Sequence, residues 1–197
     1  MPDQLAAPLP PAPGADSYVA LDFANSVIAL PGGQYVDLLG SPASVNAWLS
    51  AHALAPEDAD VQELCATQLR ALREHIRSLF TARATDVPAL PAAVNAVNDA
   101  LTLVPTTALL RWDDKTGPYR ATPCPTNAIL DHALATLAAN AADLLTAPEA
   151  DLLTPCTATP CNRYLLRHGR AHWCSTRCGN RARAARSYAR RTSQSPQ

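Results

Sequence analysis

The sequence predicts a mainly α fold, α+β in detail: a helical body with one small β-hairpin, then a four-cysteine module ending in a basic helix. Three observations carry this. Apolar residues recur at helical spacing through most of residues 17–150. One stretch, Thr107 to Thr122, switches to turn-forming and strand-favouring residues. Four of the six cysteines crowd into residues 156–178 and are followed by GNRARAARSYARR. The 197 residues suffice for one domain with a real core plus a small appendage, and an apolar fraction of 48% excludes a chain disordered throughout.

Residues 1–16 are rich in Pro and Ala without periodicity, which predicts a disordered leader. Tyr18 to Leu30 is apolar with Asp22 and Asn25 embedded and reads as a strand turning into a helix; Pro31-Gly32-Gly33 is a turn. Ser41-Pro42 has the form of an N-cap followed by proline in the first helical turn. The clearest amphipathic helix runs from about Pro56 to Ala84. Val61, Leu64, Cys65, Leu69, Leu72, Ile76, Leu79 and Phe80 share its inner face, and Arg70, Arg73, Glu74 and Arg77 lie mostly off it. A shorter helix covers Ala89 to Leu103, with Val94, Val97 and Leu101 inward. The turn formers Asp113 to Pro118 join the two strands of the hairpin, and Pro123-Cys124-Pro125 closes it. Leu130, Leu134, Leu137, Ala141 and Leu144 mark a last body helix, giving about five. The module then occupies residues 151–197.

A net charge of −1 hides a split. Residues 1–155 balance at −10, whereas residues 156–197 hold nine arginines and no acid. An acidic body with a basic, anion-seeking tail suggests two tasks. The most apolar run, Ala128 to Leu145, carries Asp131, His132, Asn140 and Asp143, too many polar groups for a membrane span. The N-terminus lacks the basic start of a secretory signal, so the expected location is the cytoplasm. Thiols stay reduced there, and clustered cysteines more often bind metal than pair.

Cys156, Cys161, Cys174 and Cys178 stand as two close pairs separated by a dozen residues, the arrangement by which a chain folds two knuckles around one tetrahedral zinc ion. Four thiolates leave no open coordination position, so such a zinc is structural. Two disulfides, an iron–sulfur cluster, or ligation by His168 or His172 remain as alternatives. Cys65 reads as a buried hydrophobe and Cys124 as a loop residue. Beyond the cysteines, Arg183, Arg186 and Arg190 fall in one helical stripe with Ala182, Ala185 and Ala189 beside it; Arg177 and Arg181 lie elsewhere on the cylinder. Arginines of one sign with no interleaved acid suit a polyanion, DNA first and RNA as a variant. An acidic protein, or the acidic body itself, is the rival partner. Tyr164, Leu165, Leu166 and Trp173 supply the module's small core.

Trp173-Cys174-Ser175 followed by Cys178-Gly179-Asn180-Arg181 resembles the CGNR zinc finger. Leu21 to Ser26 (LDFANS), Val36 to Leu39 (VDLL) and Leu72 to Phe80 (LREHIRSLF) resemble the ABATE domain that accompanies it. The resemblance implies a bacterial stress-response transcription regulator. Its four-cysteine finger, treble-clef-like, would contact DNA through Arg177, Arg181, Arg183, Arg186 and Arg190, while the N-terminal domain senses a small-molecule or protein effector. Asp22 and Asn25 read either as a structural tie or as part of an effector pocket. A single short finger offers few base contacts, so a homodimer or a second protein would supply specificity. The sequence has no P-loop, dinucleotide glycine pattern, nucleophile elbow or H-E-x-x-H, so no enzyme is expected.

Overall fold

The computed structural model describes residues 9–104, 109–121, 128–169 and 172–192. Helices α1 (Val19–Ala24), α2 (Pro42–Ala51), α3 (Glu63–Thr85), α4 (Pro91–Leu101) and α5 (Ile129–Thr146) build the body. Strands β1 (Val27–Ala29) and β2 (Tyr35–Asp37) form one antiparallel hairpin, and β3 (Leu109–Asp113) and β4 (Gly117–Ala121) another. The module contributes β5 (Leu153–Pro155), β6 (Tyr164–Leu166), also antiparallel, and α6 (Thr176–Thr192).

The core forms where α1, α3, α4 and α5 pack on one another. Phe23, Phe80, Leu69, Ile76, Leu137 and Leu144 are fully buried. Ala133, Ala138 and Ala141 on α5 are also fully buried; their small side chains let neighbouring backbones approach closely. Asn140 of α5 accepts from the Ala20 N–H at 2.8 Å, satisfying an orphan donor at the start of α1 from another helix. Ser41 caps α2 as expected, with a reciprocal capping box through Ser44.

Five expectations need correction. The 18–30 segment runs helix then strand, not strand then helix, and its strand pairs with 35–37 in a second hairpin; so short an apolar run fits either period. Helix α3 begins at Glu63, because 56–62, with Pro56, Asp58 and Asp60, forms a turn and a connection instead. That places Leu64 outside, 71% exposed, and Val94 of α4 is exposed as well. Arg73, expected off the inner face, is only 4% exposed. Its guanidinium grips Asp37 through two bonds of 2.6 and 2.8 Å and donates to Ser26 Oγ at 3.1 Å, stapling the β1–β2 hairpin to α3.

The fifth correction concerns the leader. Its described part, from residue 9, is folded: Ala12 is buried and Pro13 O accepts from the Leu166 N–H at 2.8 Å. Gly14 has φ +95°, and a Cβ there would lie 2.6 Å from Leu166 Cγ, so only glycine fits this turn against β6. Residues 1–8, the hairpin positions 107 and 122, and Cys124 lie outside the described residues.

Candidate metal centre and basic helix

The β5–β6 hairpin builds one half of the site. The Cys156 N–H donates to Arg163 O at 2.8 Å and the Cys161 N–H to Ala158 O at 2.7 Å, closing a tight knuckle between the strands. The start of α6 builds the other half. Ser175 Oγ accepts from the Cys178 N–H at 3.2 Å, an N-cap that places Cys174 just before the helix and Cys178 in its first turn. The four Sγ atoms lie within 4.8 Å of one another. Cys174 Sγ is 3.6 Å from both Cys161 Sγ and Cys178 Sγ. Sulfurs about 2.3 Å from a tetrahedral zinc stand roughly 3.8 Å apart, so the residues fit the ion.

Protonation points the same way. Hydrogen bonds from the Cys161 and Cys174 thiols hold the Cys156 thiol far below its ordinary value. Its hydrogen bond to Cys156 pushes Cys161 up to about 11. Cys156, Cys161 and Cys174 cannot all ionise unaided at this spacing, and a divalent ion would remove the conflict. The disulfide and histidine alternatives fall away on geometry. None of the four cysteines is in a disulfide, and 3.6 Å is far beyond the S–S bond length of about 2.0 Å. His168 and His172 are exposed and stand outside the ligand group. The site is that of one structural zinc.

Zinc with four thiolates carries a charge of about −2, and two arginines answer it. Arg163, 3% exposed, points Nη1 at Cys174 Sγ, 3.8 Å away, and donates through Nη2 to Pro10 O at 3.0 Å. Arg181 donates through Nη2 to Cys178 Sγ at 3.4 Å and to Ala158 O at 2.9 Å. The sequence places Arg181 on DNA; the structure turns it inward, onto the thiolates. Arg163 escapes sequence reasoning altogether. Its one signal is a basic residue two positions after a ligand cysteine.

Gly179 is buried because the helix start presses on Trp173; a Cβ there would meet Trp173 Cε3 at 3.0 Å. The same indole carries the Arg183 and Arg186 guanidiniums, 5.6 and 5.7 Å from the ring. Arg183 also donates to Asn180 Oδ1 at 2.5 Å. Of the expected alanine face only Ala182 packs against the zinc core; Ala185 and Ala189 are exposed. From Arg183 to Thr192 every residue except Ser187 is exposed, Arg190 among them, and so is Arg177.

Asn25 and Asp22 have separate roles. Asn25, 3% exposed, donates to Tyr164 O at 2.9 Å and accepts from the Tyr164 N–H at 2.7 Å, bonding β6 as a neighbouring strand would. Asp22 faces His52 at 3.1 Å, and His52 stacks on Trp48 with ring centres 4.0 Å apart. The hydrogen bond to Asp22, aided by Trp48 O, outweighs burial and raises the His52 pKa. A raised folded-state value gives stability that is complete below about pH 6.5 and is lost as pH rises through the folded value. Wild type should therefore exceed Asp22→Asn in urea midpoint at pH 5.5, with the gap closing by pH 8.5. A gap independent of pH would show that the pair contributes no charge-dependent stability.

No described helix is long and apolar enough to cross a membrane. A family model for ABATE, described as "Putative stress-induced transcription regulator", matches residues 18–148. A second model, the CGNR zinc finger, matches residues 153–191. A search of curated proteins found no match.

Proposed function

Because the chain belongs to the ABATE family and ends in a CGNR zinc finger, we propose that it is a regulator that binds DNA through α6, with zinc holding that helix in place. The observation that carries this is an exposed helix bearing Arg183, Arg186 and Arg190 in a segment with no acidic residue. Arg183 and Arg186 form no ion pair with a carboxylate of the body among the described residues; they lie over Trp173, pre-positioned for an outside anion. Four cysteines close the metal's coordination shell, which suits a binding protein in a reducing compartment rather than an enzyme. The N-terminal domain is the sensing half in this reading, and a homodimer would double the few base contacts that one finger makes.

Arg181 is occupied at the zinc site, so the contact set reduces to the α6 stripe, with Arg177 to one side. Three phosphate contacts give a log–log salt slope of about −2.7. Each Arg→Ala change in the stripe should flatten the slope by about 0.9 while zinc content stays at one per chain. The measurement is a salt titration of binding to genomic fragments. Equal slopes for wild type and the triple alanine variant would mean that the stripe does not touch DNA and would favour an acidic protein as its partner.

A further inference from the structure

A cavity of about 560 Å³ opens between the β1–β2 hairpin, α2 and the base of the finger. Its volume lies in the range of small-molecule sites, about 300–1,000 Å³. Two kinds of wall meet in it. Ile28, Leu30, Val36, Leu38 and Trp48 supply an apolar lining. Val36 and Leu38 are exposed, although the pairing of β1 with β2 and the Leu38 N–H bond to Ser26 O fix their backbone. From the finger come Arg163, Arg177 and Arg181. The only carboxylate among the described residues of the lining, Asp22, is already engaged by His52.

The polar wall carries one uncompensated charge. The Arg163 and Arg181 guanidiniums are held on thiolate sulfurs and backbone carbonyls, and their Nε atoms are enclosed by protein. The two guanidinium charges answer the zinc thiolates, and Arg177, exposed, leaves one positive charge over. A ligand that completes this site carries an acceptor with a single negative charge and an apolar body. A phosphate group brings more charge and more hydration than so apolar a lining can replace. A carboxylate matches the guanidinium fork.

We propose that this cavity binds a small apolar carboxylate, its chain against the β1–β2 hairpin and Trp48 and its head at the arginines beside the zinc site. The cavity is lined by the metal ligands Cys161 and Cys178 and by Arg181 of α6 as well as by the hairpin, so an acid bound there would sit where body and finger meet. Its role as the effector rests on the regulator reading. The binding itself does not, and it is measured without DNA, so either can fail alone.

The probe is decanoate, competed against anilinonaphthalene sulfonate fluorescence on the full zinc-loaded chain, with decanol and decylamine of equal length as controls. Decanoate should displace the dye at roughly tenfold lower concentration than decanol, the scale of one charge-assisted hydrogen bond, and decylamine should be weakest. Arg177→Ala should abolish the preference for the acid. Leu38→Arg, at an exposed position, should abolish saturable binding of acid and alcohol alike; Val36→Arg provides the same test from β2 itself if that variant loses zinc. Equal displacement by decanoate and decanol in wild type would overturn the proposal. So would an acid preference that survives Arg177→Ala, or saturable decanoate binding that survives whichever of Leu38→Arg and Val36→Arg keeps its zinc.

Discussion

Cys174→Ser is expected to empty the metal centre and to lower the thermal midpoint of the whole chain, not of its tail alone. Cys174 is 2% exposed and central to the ligand group. The buried cluster around the ligands consists of Ala12, Ala158 and Leu165 with three of the ligands themselves, so the metal is most of that small core. Apparent zinc affinity in finger peptides is about 10–16 kcal/mol, as large as the entire stability of a typical domain. The loss should spread, because Tyr164 and Leu166, adjoining the site, are buried in the main core; Tyr164 meets Phe80 edge-on at 5.8 Å. Metal analysis should give one zinc per wild-type chain and near zero in the variant. Calorimetry should show a midpoint lower by on the order of 10 °C. Full zinc occupancy, or an unchanged midpoint, would contradict the assignment.

Asp37→Ala should destabilise the body by about 3 kcal/mol, more than Arg73→Met at the other end of the same pair. The asymmetry follows from burial. Removing Asp37 leaves a guanidinium that is 4% exposed with Glu74 as its one remaining carboxylate, and breaking a buried pair from one side costs about 3–5 kcal/mol. Replacing Arg73 leaves Asp37 partly in water and fills the space with methylenes. Burial would raise the Asp37 carboxyl; the Arg73 and Leu39 hydrogen bonds, with the charges of Arg73 and Arg70, together hold it below the ordinary range. A depressed folded-state value means stability present above about pH 3.9 and lost as pH falls through the folded value. Urea unfolding at neutral pH ranks the variants, and equal costs would refute the argument from burial.

The metal ligands were legible in the sequence because tetrahedral coordination dictates residue type, number and pairing, all of which survive without coordinates. Helices α2 to α5 were legible for a similar reason, since burial on one face imprints a period; α1, six residues long, is too short to show one. What escaped were contacts between distant residues. Arg73 reads as a solvent-facing charge because its carboxylate stands 36 positions away on a hairpin too short to recognise. Asn25 reads as an odd polar residue in an apolar run until Tyr164, 139 positions on, presents both of its backbone groups. The inward turn of Arg181 was hidden similarly: helical spacing gives its angle on the cylinder, not what lies beside it.

The seam between body and finger has a consequence for how such chains can be recombined. The Leu166 N–H donates to Pro13 O, Arg77 reaches Asn162 O, and Asn25 holds Tyr164. A chimera that swaps everything after residue 150 onto a foreign platform breaks the ties to Pro13, Arg77 and Asn25 at once and strips Leu153, Tyr164 and Leu166 from the core they complete. The finger is therefore not a cassette. Shuffling can exchange it only together with the first helix, the segment before it and the face of α3 that carries Arg77 and Phe80, and a substitution at Asn25 or Gly14 is expected to be felt at the metal although neither residue comes near it in sequence.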